Sequence, residues 1–121
     1  DMTFEYVNAG HNPPLLIRDG KIIKLEIGGM ILGVMKTMMP YRSEKIQLIK
    51  DDVLVMFTDG ISEAMNKKGE EYSDEALEKL SLEIASDSSE IIVNKIQSEV
   101  QKFTDGANQS DDITLVVVKV K

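Results

Sequence analysis

The sequence predicts an α+β fold in which antiparallel strands come first, two helices follow and one strand closes the chain. Three observations carry this. Up to Thr58, short apolar runs recur with turn residues between them, and Asp19-Gly20 splits one pair of runs like a hairpin. From Ser73 to Phe103 the apolar residues are spaced three and four apart, which is helical. After that stretch, Ile113-Thr114-Leu115-Val116-Val117-Val118 is β-branched and apolar again.

Taken in order, Phe4–Asn8 reads as a strand and Ala9-Gly10-His11-Asn12-Pro13-Pro14 as an irregular loop. Leu15–Arg18 and Lys21–Ile27 flank Asp19-Gly20, and a type I′ turn requires φ > 0 at both central residues, which Asp-Gly tolerates. Gly28-Gly29 ends that hairpin, and Met30–Val34 is a short apolar connection containing Gly33. Tyr41–Ile49 alternates loosely, and Lys50-Asp51-Asp52 turns the chain into the strand Val53–Thr58. A short helical turn is expected over Ile61–Met65, then a loop at Asn66-Lys67-Lys68-Gly69. Ser73 is placed to cap a helix over about Asp74–Ser86, with Leu77, Leu80 and Ile84 on one face. Asp87 with Glu90 resembles a capping box for a second helix whose stripe is Ile92, Ile96, Val100 and Phe103. Gly106 and Asn108 punctuate a loop, and the last strand spans about Ile113–Val120. That strand is apolar on both faces, so a central position beside Val53–Thr58 is expected.

Two aspartates stand at the ends of these two apolar strands. Asp59 follows Val53–Thr58, and Asp111 precedes Ile113. If the strands pair antiparallel, the end of one lies beside the start of the other, and the carboxylates meet at one rim of the sheet. Converging carboxylates repel unless a cation compensates them. Their hard oxygen donors point to a divalent metal. The plainer alternatives are a turn aspartate before Gly60 and a solvated pair, Asp111-Asp112, before a strand.

The bulk properties narrow the rest. At 121 residues the chain is at most one domain, with an ordinary apolar fraction of 42%. Its net charge is 14 − 21 = −7, which disfavours nucleic acid or an anionic membrane as the main partner. No stretch approaches the ~20 apolar residues of a membrane span. The N-terminal Asp1-Met2-Thr3-Phe4 has no basic-then-apolar signal pattern. The absence of cysteine rules out disulfides and fits a cytoplasmic setting. The strand-like Phe4-Glu5-Tyr6-Val7 follows almost no lead-in, so a piece of a longer protein is expected.

Three motifs in series carry a resemblance: Asn8-Ala9-Gly10-His11-Asn12-Pro13-Pro14, then Phe57-Thr58-Asp59-Gly60-Ile61-Ser62-Glu63-Ala64, then Ser110-Asp111-Asp112-Ile113-Thr114-Leu115. Together they resemble the bacterial metal-dependent serine phosphatases of the PP2C-like superfamily, in the branch of stress-response and sporulation phosphatases acting on anti-sigma-factor antagonists. Gly29-Met30-Ile31-Leu32-Gly33 is similar to that family's glycine–leucine–glycine connection. The resemblance implies an α/β/β/α sandwich, here partial, with a binuclear Mn²⁺ or Mg²⁺ site at one edge. It also implies hydrolysis of phosphoserine or phosphothreonine by a metal-activated water. Two metals about 3.5–4 Å apart lower the pKa of such a water and neutralise phosphoryl charge, so no nucleophilic side chain is required.

By the same resemblance, Asp59 and Asp111 are metal ligands. Asp112 occupies a position the family fills with Asp or Asn, and Gly60 lets the turn approach the site closely. Gly10, His11 and Asn12 are assigned to loop structure, with the only histidine hydrogen-bonding inside its loop rather than acting as an acid. Glu63 is read as local structure. The acidic stretch Glu70–Glu90 is read as a solvated helix face, and the seven methionines mainly as core gap-fillers.

The family's earlier motif, with the aspartate that bridges the two metals, has no counterpart before Asn8. Residues 1–121 are therefore expected to be the C-terminal portion of one phosphatase domain. Alone, this portion is expected to be inactive and to hold one metal or none. An upstream sensor or regulatory domain in the parent chain, a phosphoprotein substrate and self-association through an uncovered sheet edge are further expectations. The alternative is a non-enzymatic interaction or assembly module derived from the same fold.

Overall fold

The computed structural model describes residues 1–36 and 38–121. Six strands and three helices follow in the order β1 (Thr3–Tyr6), β2 (Leu15–Arg18), β3 (Lys21–Lys24), β4 (Glu44–Gln47), β5 (Val53–Phe57), α1 (Asp59–Ser62), α2 (Asp74–Ile84), α3 (Ser89–Thr104) and β6 (Leu115–Lys119). Strands β3-β2-β5-β6 form one antiparallel sheet, and β1 pairs with β4 in a second.

Side-chain alternation along β2 and β5 sorts the core into two layers. Leu15, Ile17, Val53, Val55 and Phe57 face Leu77, Ile84, Ile92, Ile96 and Val100 of α2 and α3. Leu16 and Leu54, on the opposite face, pack with Leu25 and with Tyr6 of the small sheet. The result is helices, a four-stranded sheet and a two-stranded sheet, three layers of the expected four-layer sandwich.

Local chemistry explains the boundaries. Asp19 and Gly20 both have positive φ, 49° and 70°, as the hairpin between β2 and β3 requires. Ser73 caps α2 by accepting the amide hydrogen of Ala76 at 3.3 Å. On β6, the Lys119 ammonium donates to the carbonyls of Ala85 and Asp87, both at 2.8 Å, which satisfies groups just past the end of α2.

Four expectations need correction. The last strand pairs with β5, but it lies at the edge of the sheet rather than at its centre. Leu115 and Val117 contact the helix-side core, while Val116 and Val118 point to the other face and are 46% and 41% exposed. An apolar run on both faces is therefore not enough to place a strand centrally. The cap of α3 is Ser88, which accepts from the Ile91 amide, while Asp87 is held by Lys95 at 2.7 Å. The first helix begins at Asp59 itself rather than after Gly60. The methionines are not core-filling: Met2, Met30, Met35, Met38, Met39 and Met65 are exposed.

One ionic tie anchors the far end of β5. Asp52 is only 1% exposed. Its carboxylate accepts from Arg18 Nε at 2.8 Å, from Arg18 Nη2 at 2.5 Å and from the Ile49 amide at 2.9 Å. Arg18 also donates to the Gln47 carbonyl at 2.9 Å. The hydrogen bonds from Arg18 hold the Asp52 carboxyl below the ordinary carboxylate range, against the opposing effect of burial. Its contribution to stability is complete above the unfolded-state pKa of about 3.9 and is lost as pH falls from there through the lowered folded-state value. Asp52→Asn is expected to cost about 2 kcal/mol at neutral pH, because it removes the charge from a bidentate pair whose arginine is partly solvated. Urea unfolding at pH 7 and pH 3 checks this. The difference between variant and parent should shrink at the lower pH, and an equal difference at both would show that Asp52 charge is not the source.

Candidate metal centre

The two motif aspartates are brought to one rim by the register of β5 and β6. Phe57 pairs with Leu115 at the last position of the ladder. Beyond it, the Thr58 amide donates to the Thr114 carbonyl at 3.1 Å. The Thr58 hydroxyl then does two things: it donates to the Asp112 carbonyl at 2.9 Å and accepts from the Thr114 amide at 3.0 Å. A hydroxyl can serve in both ways at once, and this one joins the turn carrying Asp59 to the loop carrying Asp111. Thr58 stands at the N-cap of α1 yet makes no side-chain cap bond. Its oxygen is engaged across the strands instead.

Gly60 completes the junction. A Cβ there would lie 2.3 Å from the Asp112 carbonyl oxygen and 3.2 Å from that of Asp111. Only a residue without a side chain lets the 111–112 backbone approach so closely. At Gly60 the close approach is to the backbone of the Asp111–Asp112 segment.

Asp59, Asp111 and Asp112 are all exposed. One Asp111 carboxylate oxygen accepts from the Asp112 amide at 2.7 Å, and Gln109 Nε2 donates to the Asp111 carbonyl at 2.7 Å, so this loop is locally braced. Asp112 contributes its carbonyl to the junction. Ser62 is buried in α1, and exposed Glu63 follows it with its backbone amide donating to the Asp59 carbonyl at 2.8 Å.

The Asn8–Pro14 loop lies near the same rim. A groove of about 680 Å³ is lined by Asn8, His11 and Asn12 on one side and by Thr58 and Thr114 on the other. The loop is fixed differently from expectation. The Asn8 side chain, not the imidazole, closes it: Asn8 Oδ1 accepts from the His11 amide at 2.8 Å and Asn8 Nδ2 donates to the His11 carbonyl at 3.0 Å. Gly10 has φ +82°, and a Cβ there would lie 2.2 Å from Ile31 Cγ1. Gly28 meets the Asn8 carbonyl even more closely, and the Gly29 amide donates to it at 3.0 Å.

Sequence reasoning missed Thr58 and Asn8. The signal for both was weak, since each is a small polar residue at a strand end, where side-chain bonds to backbone are common.

The donor chemistry suits a hard cation. Mg²⁺ and Mn²⁺ take oxygen ligands, and Mg²⁺ is often held by only one or two carboxylates with waters filling the rest. Asp59 and Asp111 meet that minimum. Among the described residues no group of three or more His, Cys, Asp or Glu side chains converges as a fuller cage.

Comparison with known proteins gives a consistent result. The family model described as Stage II sporulation protein E matches residues 1–121. The phosphoserine phosphatase RsbU of Bacillus subtilis is 32% identical over 121 residues, and the match covers 98% of this chain and 35% of RsbU. Among solved structures, the SiaA-PP2C domain of Pseudomonas aeruginosa superposes with a TM-score of 0.84 at 16% identity, covering 99% of this chain and 47% of that one. The PP2C phosphatase domain of SpoIIE from Bacillus subtilis, solved with a fragment of its regulatory domain, gives 0.78 at 23% identity, covering 98% and 34%. These likenesses establish a PP2C phosphatase fold. The chain spans about a third of the length of RsbU.

Gly60→Ala tests the junction. The added methyl must push the 111–112 backbone away, at a cost of about 1–3 kcal/mol. Backbone amide shifts should move at Asp111, Asp112 and Thr114 while those of the Asp19-Gly20 hairpin stay fixed. An unperturbed 111–114 segment would show that the close approach is not required.

Proposed function

The chain belongs to the stage II sporulation protein E family, and we propose on that premise that it forms one wall of the catalytic centre of a metal-dependent protein serine/threonine phosphatase. The observation that carries the reading is the junction of Thr58, Gly60 and Asp112, which sets the Asp59 turn against the Asp111 loop. On this reading Asp59 and Asp111 hold Mn²⁺ or Mg²⁺, with Gly60 and Asp112 contributing backbone position. A divalent ion bound there would lower the pKa of a water and neutralise phosphoryl charge.

The chain's own residues supply position. Thr58 fixes the separation of the two segments. The Asp112 amide orients one Asp111 oxygen and leaves the other free, and the exposed Asp59 carboxylate faces no competing partner among the described residues. Neither His11 nor any serine is needed as a nucleophile.

Two carboxylates do not complete a two-metal site. We assign residues 1–121 to the C-terminal portion of the phosphatase domain, with a further bridging carboxylate elsewhere in the parent chain. That the chain covers only 50% of a solved SpoIIE phosphatase domain supports a partial domain. The isolated chain is accordingly assigned no efficient turnover. The substrate class is a phosphoserine or phosphothreonine on a small signalling protein of the anti-sigma-factor-antagonist type. The phosphoserine part of that assignment is supported by the likeness to a phosphoserine phosphatase. A regulatory domain in the parent is supported by analogy with the SpoIIE structure. No helix among the described residues is long and apolar enough to cross a membrane. A cytoplasmic setting is supported by the cysteine-free composition.

Calorimetric titration with Mn²⁺ tests the ligand assignment. The 121-residue chain should bind one ion weakly, and Asp59→Asn and Asp111→Asn should each lower affinity at least about tenfold. Parent-like binding by both variants would remove the assignment.

A second reading, an assembly module, is favoured by one observation: the outer face of β6 exposes Val116 and Val118 on an edge strand. Such an edge associates readily. Light scattering across a concentration series should show growth beyond a monomer, and a mass that stays monomeric at high concentration would sink this expectation.

A further inference from the structure

A second concavity lies on the helix side of the sheet, behind the aspartate rim. It has a volume of about 460 Å³ and is enclosed by α1, α3 and the 105–113 loop. That is within the ~300–1,000 Å³ range of small-molecule sites. Its floor is apolar: Ile61, Ile96 and Val100 are buried, and Leu115 is partly buried. Its mouth carries Gln97, Gln101, Asn108 and Gln109.

The lining carries no charge. Charged residues make up 29% of the sequence, yet no Asp, Glu, Lys, Arg or His lines the cavity. Gln109 donates from its amide to the Asp111 carbonyl. Gln97, Gln101 and Asn108 are exposed, and their side-chain amides make no hydrogen bond with another described residue, so they are available to a ligand at the mouth. Each carboxamide offers both a donor pair and an acceptor. An ionised ligand would lose hydration against these walls without gaining a countercharge.

We propose that this cavity is a binding site for a small neutral molecule with an apolar body and a carboxamide-like group, the body seated on the floor and the polar group paired with the mouth amides. The site is separate from the aspartate rim and does not depend on the metal reading. Gly60 and Ser110 are the residues through which the two adjoin.

Benzamide and its charged isostere benzoate are the probes. Each is titrated into the isotopically labelled 121-residue chain without metal, and backbone amide shifts are followed. Benzamide should give saturable shifts at Gln97, Gln101 and Asn108, with a dissociation constant in the millimolar range expected for so small a ligand. Benzoate should bind at least about tenfold more weakly. Val93→Trp and Ala107→Phe each fill the cavity, and each should abolish the benzamide shifts. If one of them loses its dispersed spectrum, the other serves, and the benzamide–benzoate comparison needs neither. Absence of saturable benzamide shifts, equal binding of benzoate, or unchanged benzamide binding in a folded filled variant would overturn the proposal.

Discussion

The candidate centre depends on one steric constraint: the backbone of residues 111 and 112 passes over Gly60 at a distance no side chain would permit. The β5–β6 ladder ends at Phe57 and Leu115, and one further backbone bond, from the Thr58 amide to the Thr114 carbonyl, extends it. Past that point the chains would diverge, because β5 turns into α1 while the residues before β6 enter a loop. The Thr58 hydroxyl and the bare Gly60 Cα hold the two together for three more residues. The Asp59 turn and the Asp111 loop are neighbours because of this contact.

The opposite end of the same strand pair is secured by different chemistry. There the Asp51 amide donates to the Val120 carbonyl at 3.0 Å and the Val120 amide to the Asp52 carbonyl at 2.9 Å, while Arg18 clamps the Asp52 side chain from β2. An exposed carboxylate at the functional end and a buried, paired carboxylate at the structural end differ only in surroundings. Asp52 is committed to Arg18 and to the Ile49 amide, so it has no oxygen to offer a ligand. Asp59 has no such commitment, and that difference separates a structural aspartate from a candidate ligand.

Much of this was legible in the sequence, for physical reasons that can be traced. The Asp19-Gly20 hairpin, the Ser73 cap and the antiparallel pairing of Val53–Thr58 with the last strand depend on local backbone chemistry or on apolar pattern, both of which are written residue by residue. The edge position of β6 was not legible, because Val116 and Val118 look the same in sequence whether or not another layer covers them. Ser88 and Asp87 are adjacent cap formers, and in the structure Ser88 caps the helix while Asp87 pairs with Lys95, eight positions beyond it. Thr58 and Asn8 escaped notice because their partners lie at long range or across a turn. Arg18 with Asp52 escaped for the same reason, being 34 positions apart.

The groove beside the aspartate rim and the exposed apolar face of β6 lie on one side of the large sheet. Met56 and Val116 line the groove away from the helices, and Thr58 and Thr114 line it beside the aspartates. The aspartate rim and the incompletely covered apolar face therefore border the same space. If they were unrelated, there would be no reason for the groove to run from one to the other. A single additional layer over that face would cover Val116 and could also present a carboxylate to Asp59 and Asp111. On the proposed reading, completing the core and completing the metal site are one structural event, because burial of the groove and assembly of the ligand set need the same neighbour.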